Sequence, residues 1–302
     1  MELRIASRRS PLAVAQSELA AKTLHERYAD LRTLFVEVET EGDRRLSAPL
    51  AEIGGKGVFT QEIEEMLRQG TVDLAVHSLK DLPTAMPRGL RIAAVLPRED
   101  PRDVLVTRDG VRLLDLPRGA RVGTSSPRRQ AQLRLLRPDL QVEDIRGNVG
   151  TRLRKLSEGT FDGLVMAAAG LLRAGAGAQI SEYLDPDHML PAPAQGVIAL
   201  EARSSSREIL SVLRSVSDRT AMRAARAERA LLAALGSGCA VPIGALATVE
   251  GRKIRLRAGV FAPDGSVALR TQAEGGRAEE VGEAAAAALL KMGAQRLLSA
   301  AR

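Results

Sequence analysis

Ile5-Ala6-Ser7-Arg8-Arg9-Ser10-Pro11 and Val122-Gly123-Thr124-Ser125-Ser126-Pro127-Arg128-Arg129 carry the same pattern twice. Each is a short apolar strand that runs into a hydroxyl-rich turn, a Ser-Pro helix start and paired arginines. Ser10 reads as an N-cap and Pro11 as the first helical residue, because proline there gives up only an N–H that has no partner anyway. Each turn collects helix N-terminal N–H groups, hydroxyl donors and guanidinium groups, a set that suits an anion. A repeat of this kind predicts two related lobes, which on facing each other would line a cleft with anion sites.

Outward from the first copy, strand Leu3–Ala6 precedes it and a helix reaching about Tyr28 follows. Strand Leu34–Glu39 comes next, then the glycine-rich turn Gly54–Phe59, a helix to about Arg68 and a buried strand, Asp73–Val76. The order β-α-β-α-β predicts a parallel or mixed sheet with helices on both faces and ligands at the carboxyl ends of strands. His77-Ser78-Leu79-Lys80-Asp81-Leu82-Pro83 sits at such an end. Taken alone, Asp81 reads as a turn cap before Pro83.

The pattern breaks at Pro97–Pro101. Around the second copy, strands are predicted over Val104–Thr107, Arg121–Gly123, Leu140–Ile145 and Asp162–Ala167. The turn Arg146–Gly150 leads into a helix, Thr151–Ser157. Pro191–Gly196 reads as a hinge, and Val197–Glu201 as a strand returning to the first sheet. A third unit begins at Asp218, the cap of a long helix, Arg219–Leu235. Strands Ile243–Val249, Lys253–Phe261 and Val267–Thr271 follow, the last two joined by the turn Pro263-Asp264-Gly265, and a helix over Ala278–Leu298 closes the chain. The expected fold is α/β in three domains: 1–98 with 196–216, 99–195, and a small α+β domain at 217–302.

A length of 302 residues with 45% apolar content is ample for such cores. The amino-terminal residues are polar and the longest apolar run, Gly163–Leu172, is too short to span a membrane, so neither export nor a membrane is expected. A single cysteine forms no internal disulfide, which fits a reducing cytoplasm. The three histidines lack ligand spacing, so no metal is expected. The net charge is +7, with 38 arginines against six lysines. Most of that bias reads as a compositional habit. A polyanionic partner is the alternative, since guanidinium grips carboxylate or phosphate with two hydrogen bonds. Nucleic acid is a poor candidate, because four Phe, two Tyr and no Trp leave little for stacking on bases. Gly54–Phe59 lacks the spacing of a phosphate loop, and Gly175-Ala176-Gly177 lacks the third glycine of a dinucleotide site.

Cys239 stands in Gly236-Ser237-Gly238-Cys239-Ala240-Val241-Pro242-Ile243-Gly244. A lone cysteine is most often an inert, buried small hydrophobe. Three flanking glycines leave its backbone open to close approach, so a thiolate here is also a candidate nucleophile or attachment point.

These stretches, together with Gly54-Gly55-Lys56-Gly57-Val58-Phe59, Val76–Pro83 and Arg146–Arg152, resemble the porphobilinogen deaminase (hydroxymethylbilane synthase) family along almost the whole chain. Arg9 and Pro127 depart from the usual pattern at positions that are not key contacts. The resemblance implies two domains like a type II periplasmic binding protein around a cleft, plus the small third domain. It implies a transferase of tetrapyrrole (haem, porphyrin) biosynthesis, monomeric and cytoplasmic, acting on porphobilinogen. It also implies a dipyrromethane cofactor built from the substrate and held by a thioether at Cys239. Asp81 becomes the catalytic carboxylate that binds pyrrole N–H groups, stabilises a cation and helps remove the ring proton. Cofactor binding falls to Ser78, Lys80, Asp81, Thr124, Ser126, Arg128, Arg129, Arg146, Gly147 and Arg152. Substrate binding falls to Arg8, Ser10, Gln16, Arg146, Asn148, Arg152, Arg173 and Gln195, and Lys56 and Phe59 become part of a flap. The acetate and propionate on every ring are then the anions that the arginines answer.

Overall fold

The computed structural model describes residues 1–41, 60–236 and 241–300. The chain divides into two compact units, Met1–Arg98 with Val197–Met222 and Glu99–Gly196 with Arg223–Arg302. In chain order the first unit holds β1 (Glu2–Arg8), α1 (Pro11–Arg27), β2 (Arg32–Val38), α2 (Gln61–Gln69), β3 (Leu74–Ser78) and β4 (Leu90–Val95). In the second follow β5 (Asp103–Thr107), β6 (Arg121–Gly123), α3 (Pro127–Leu136), β7 (Gln141–Glu143), α4 (Val149–Ser157), β8 (Gly163–Ala167), α5 (Ala168–Arg173) and β9 (Glu182–Tyr183). β10 (Ile198–Arg203) and α6 (Arg207–Ser215) return to the first unit. α7 (Arg219–Ala234), β11 (Ile243–Glu250), β12 (Lys253–Phe261), β13 (Ala268–Gly275), α8 (Ala278–Lys291) and α9 (Ala294–Ala300) complete the chain.

The first sheet has the order β2-β1-β3-β10-β4, with β1 parallel to β2 and β3, and β10 antiparallel to both its neighbours. Its central strands are apolar on both faces because helices cover both. Leu3, Ile5, Leu74, Val76 and Leu200 bury against α1 and α6. Ala6 and Ala75 bury with Ile63 and Leu67 of α2 on the other face. α1 starts where expected, with Ser10 Oγ accepting from the Ala13 N–H at 3.3 Å and Pro11 in the first turn.

The second sheet, β7-β6-β8-β5-β9, follows the same plan: β6 is parallel to β7 and β8, and β5 is antiparallel to β8 and β9. The two copies of the strand–turn–Ser-Pro pattern therefore occupy equivalent places, at the carboxyl ends of β1 and β6. β7 is shorter than the predicted Leu140–Ile145. The Ser125 hydroxyl takes over both backbone groups of Ile145, bonding its carbonyl at 2.5 Å and its N–H at 3.1 Å, so that residue leaves the ladder.

Residues 223–302, expected within a separate domain, group with 99–196, although they have their own antiparallel sheet, β11-β12-β13, and their own apolar cluster. Ile254, Leu256, Ala258 and Val260 alternate along β12 into that cluster beside Leu231, Val281 and Leu289. Asp218 caps α7 through the Ala221 N–H at 2.7 Å. The single closing helix expected over Ala278–Leu298 is instead two, α8 and α9, because Gly293 takes φ +96°, a left-handed conformation that ends a helix at little cost only for glycine. Among the described residues no helix is long and apolar enough to cross a membrane, and no cluster of His, Cys, Asp and Glu is arranged to hold a metal.

Candidate functional site

In the first unit the candidate residues gather at the ends of β1 and β3. β3 leaves its sheet at Ser78, and a single 3-10 turn, Leu79–Asp81, follows. Leu79 and Leu82 are buried on either side of that turn, and the Leu79 N–H donates to the Val197 carbonyl at 2.9 Å. Buried apolar anchors thus pin a turn that leaves Asp81 exposed, and no described residue pairs with its carboxylate. Gln16, buried on α1, donates to Ser78 Oγ at 2.9 Å and so fixes one hydroxyl of the same strand end. Ser10 spends its oxygen on the α1 cap, while Arg8 and Lys80 are half-buried beside it in sequence and on the turn. Lys56 and Phe59 lie outside the described residues.

In the second unit the paired arginines are not a solvated helix face. Arg128 and Arg129, in the first turn of α3, are both buried around the fully buried Asp103. Arg128 Nη1 donates to Asp103 Oδ2 at 2.5 Å and to the Leu190 carbonyl at 2.6 Å. Arg129 Nε donates to Asp103 Oδ1 at 2.9 Å, its Nη1 to the Val165 carbonyl at 3.2 Å and its Nη2 to Gln195 Oε1 at 3.4 Å. Gln195 Nε2 closes the ring by donating to Asp103 Oδ1 at 2.9 Å and to the Pro101 carbonyl at 2.8 Å. Burial alone would push the Asp103 carboxyl up, but the two guanidinium charges hold it well below the usual carboxylate range. Burial also pulls the Arg128 guanidinium below its ordinary value, with Asp103 opposing.

Further buried cations stand near the pair. Arg152 falls to about 10, mainly through burial and then through the like charges of Arg129 and Arg146. Its Nε donates to the Gly147 carbonyl at 2.8 Å. Gly147 has φ +111°, and a Cβ there would stand 2.5 Å from Thr151 Cγ2, so only glycine fits. Asn148 caps α4 by accepting from the Thr151 N–H at 2.9 Å. Burial lowers Arg173 too, against the opposing charge of Glu99. Its Nη2 donates to the Gly196 carbonyl at 2.6 Å, while its buried Nε has no hydrogen-bond partner among the described residues. Thr124 is fully buried at the end of β6. Ser126 holds the N-cap position of α3 without making the cap hydrogen bond, unlike its counterpart Ser10.

Like charges set close together, and an Arg173 Nε with no acceptor among the described residues, fit a ligand bearing several carboxylates. A dipyrromethane bearing acetate and propionate groups meets that description. α7 leads towards the loop of Cys239, which lies outside the described residues. Asp103 was not singled out in the sequence. The available signal was a lone acid heading the apolar run Asp103-Val104-Leu105-Val106, upstream of paired arginines.

A family model described as "Porphobilinogen deaminase, dipyromethane cofactor binding domain" matches residues 3–211, and one described as "Porphobilinogen deaminase, C-terminal domain" matches residues 222–291. A porphobilinogen deaminase of Roseiflexus sp. (strain RS-1) is 48% identical over 297 residues, covering 98% of both chains. One of Syntrophobacter fumaroxidans is 45% identical over 298 residues, covering 98% of this chain and 96% of its own. A solved structure of the Bordetella pertussis BvgS VFT2 domain matches with TM-score 0.43 and 18% identity, covering 71% of this chain and 86% of that one. With both family models matched in order and near half of all residues shared end to end with such relatives, the chain belongs to the porphobilinogen deaminase family.

Proposed function

We propose that this chain is a hydroxymethylbilane synthase, a transferase that deaminates porphobilinogen and polymerises it head to tail into a linear tetrapyrrole, with a dipyrromethane held as a thioether at Cys239. The observation that carries the reading is the buried Arg152 held beside the like charges of Arg129 and Arg146: burial first, and then those two charges, bring it down to about 10. Such charge crowding costs folding stability, and a substrate with an acetate and a propionate on each ring is the chemistry that relieves it.

The substrate's aminomethyl group is already protonated near neutral pH, so losing ammonia needs an anion beside the developing cation more than an added acid. Asp81, exposed on a turn pinned by Leu79 and Leu82, takes that role and accepts from pyrrole N–H groups. After the new carbon–carbon bond forms, the same carboxylate takes part in removing the ring proton. When bound, the dipyrromethane supplies the nucleophilic α-carbon from which the chain grows. Arg128, Arg129, Arg146 and Arg152 hold its carboxylates with Thr124, Ser126, Ser78 and Lys80. Arg8, Ser10, Gln16, Asn148, Arg173 and Gln195 serve the incoming substrate.

In this reading residues 217–302 act as a third domain that presents Cys239. The protein works as a monomer, since one chain supplies every residue invoked, and in the cytoplasm, where a lone cysteine stays a thiol until it is alkylated. Intact mass tests the whole. Protein from a cell making porphobilinogen is expected to exceed its sequence mass by two pyrrole units, all on Cys239, and Cys239→Ser to lack them, since a hydroxyl is a far weaker nucleophile near neutral pH. An unmodified yet fully active protein would sink the proposal.

A further inference from the structure

The connector Leu190–Gly196 holds the arginine side of the site from behind. The Leu190 carbonyl accepts from Arg128 at 2.6 Å, Gln195 Oε1 from Arg129 at 3.4 Å, and the Gly196 carbonyl from Arg173 at 2.6 Å. Its own shape is strained, because Ala194 sits at φ +63°, the one described residue other than glycine with positive φ. Something has to keep it there. Glu228, fully buried on α7, accepts the Ala194 N–H on one carboxylate oxygen and the Ala247 N–H of β11 on the other, the latter at 2.7 Å. An apolar side chain of equal volume would fill the same space without desolvating a charge. A carboxylate, unlike that apolar group, accepts one of the two backbone N–H groups on each of its oxygens.

The geometry points to Glu228 as a positioning residue: it locks the strained connector and thereby sets the direction of Arg128, Arg129 and Arg173. This rests on the reading of those arginines as carboxylate holders. Glu228 stands on the helix that leads towards the Cys239 loop, so one side chain registers the anchor helix against the arginines that receive what the anchor holds. Asp103 supplies the counter-charge between the two arginines, and Glu228 fixes the frame in which all three are held.

Glu228→Gln tests it, because the amide keeps one acceptor and turns an N–H donor on the other backbone N–H. The expected holoenzyme is folded, with KM for porphobilinogen raised about tenfold, kcat changed far less, a lower cofactor-loaded fraction by intact mass, and faster hydrogen exchange at the Ala194 or the Ala247 amide. Adding Ala194→Gly to Glu228→Gln should recover most of the KM, since glycine holds φ +63° without help. A lowered melting temperature with KM unchanged, or a raised KM that Ala194→Gly does not recover, overturns the assignment. If Glu228→Gln does not fold, Ala194→Val with Glu228 intact disturbs the connector from its other end, and an unchanged KM there overturns it equally. Arg129→Leu run alongside separates the two readings. If it too binds and loads normally, the arginine reading has failed; if it is crippled while Glu228→Gln is normal, only the positioning role has.

Discussion

Glu201 Oε2 lies 3.0 Å from His77 Nε2 inside the first unit, with the glutamate side chain wholly buried, yet the two are aligned too poorly to hydrogen bond. Glu64 faces them from α2, also buried, with Oε1 unbonded and Arg68 3.7 Å away from Oε2. Burial first, and then the Glu201 charge, raise the Glu64 carboxyl above its ordinary value, against a hydrogen bond with Thr60 and the charges of Arg68 and His77. The folded state therefore keeps this proton at pH values where the unfolded chain has lost it. Stability contributed here is present below the ordinary glutamate value, about 4.3, and is lost as pH rises through the raised one. Urea unfolding of Glu64→Gln and the unmodified protein at a series of pH values above that point should give curves that diverge, the variant losing less as pH rises. Parallel curves would contradict the assignment.

Asp81→Ala should leave a folded protein whose turnover falls by at least ~100-fold, the usual scale for removing one positioned electrostatic or acid–base group. The turn is held by Leu79 and Leu82, not by Asp81, so circular dichroism and melting temperature should barely move. Near-normal turnover would reduce Asp81 to a turn residue.

Asp103→Asn strips the counter-charge from two buried guanidinium groups. Breaking a buried ion pair by removing one partner costs about 3–5 kcal/mol, which urea unfolding would register as a lower midpoint at unchanged slope. Arg128→Leu and Arg129→Leu each leave Asp103 one guanidinium partner and Gln195, so they should unfold less readily than Asp103→Asn. They should nevertheless block cofactor assembly or the earliest elongation, visible as missing or stalled mass additions. Normal elongation in both variants would place the carboxylate contacts elsewhere.

Apo-protein made in a strain that cannot synthesise porphobilinogen should melt lower than holo-protein and be cut faster by protease near Pro97–Pro101 and Pro191–Gly196. A ligand held only by the folded state stabilises that state, and a covalent one cannot be diluted away. Adding porphobilinogen should reverse both effects. Equal melting and equal cleavage would mean that the cofactor does not relieve the crowding around Arg152.

The internal repeat could be read from sequence because helix starts are written locally: Ser10-Pro11 and Ser126-Pro127 both open helices at strand ends. Local chemistry also explains the Asp218 cap and the Gly265 turn at φ +80°. The break at Gly293 escaped because glycine within an alanine-rich run costs a helix only about 1 kcal/mol, too weak a signal without the backbone in view. Asp103 escaped for another reason. Its partners stand 25, 26 and 92 positions away, and nothing in one sequence says that an acid heading an apolar strand will meet two arginines and a glutamine. Separation along the chain, 34 and 19 positions, hid Glu228 as well, whose worth depends on an alanine whose unusual backbone angle no propensity reveals.

The antiparallel fourth strand of each sheet also orders events on the ribosome. Among the described strands β4 pairs only with β10, so the sheet at the amino end stays open until synthesis has passed Arg203. β5 finds its partners, β8 and β9, within the stretch that ends at Tyr183. The later-starting sheet is therefore the first to have all its described strands made, and a chain ending between Tyr183 and Ile198 would hold every described strand of that sheet but, in the other, β3 and β4 edges that still lack the strand that joins them.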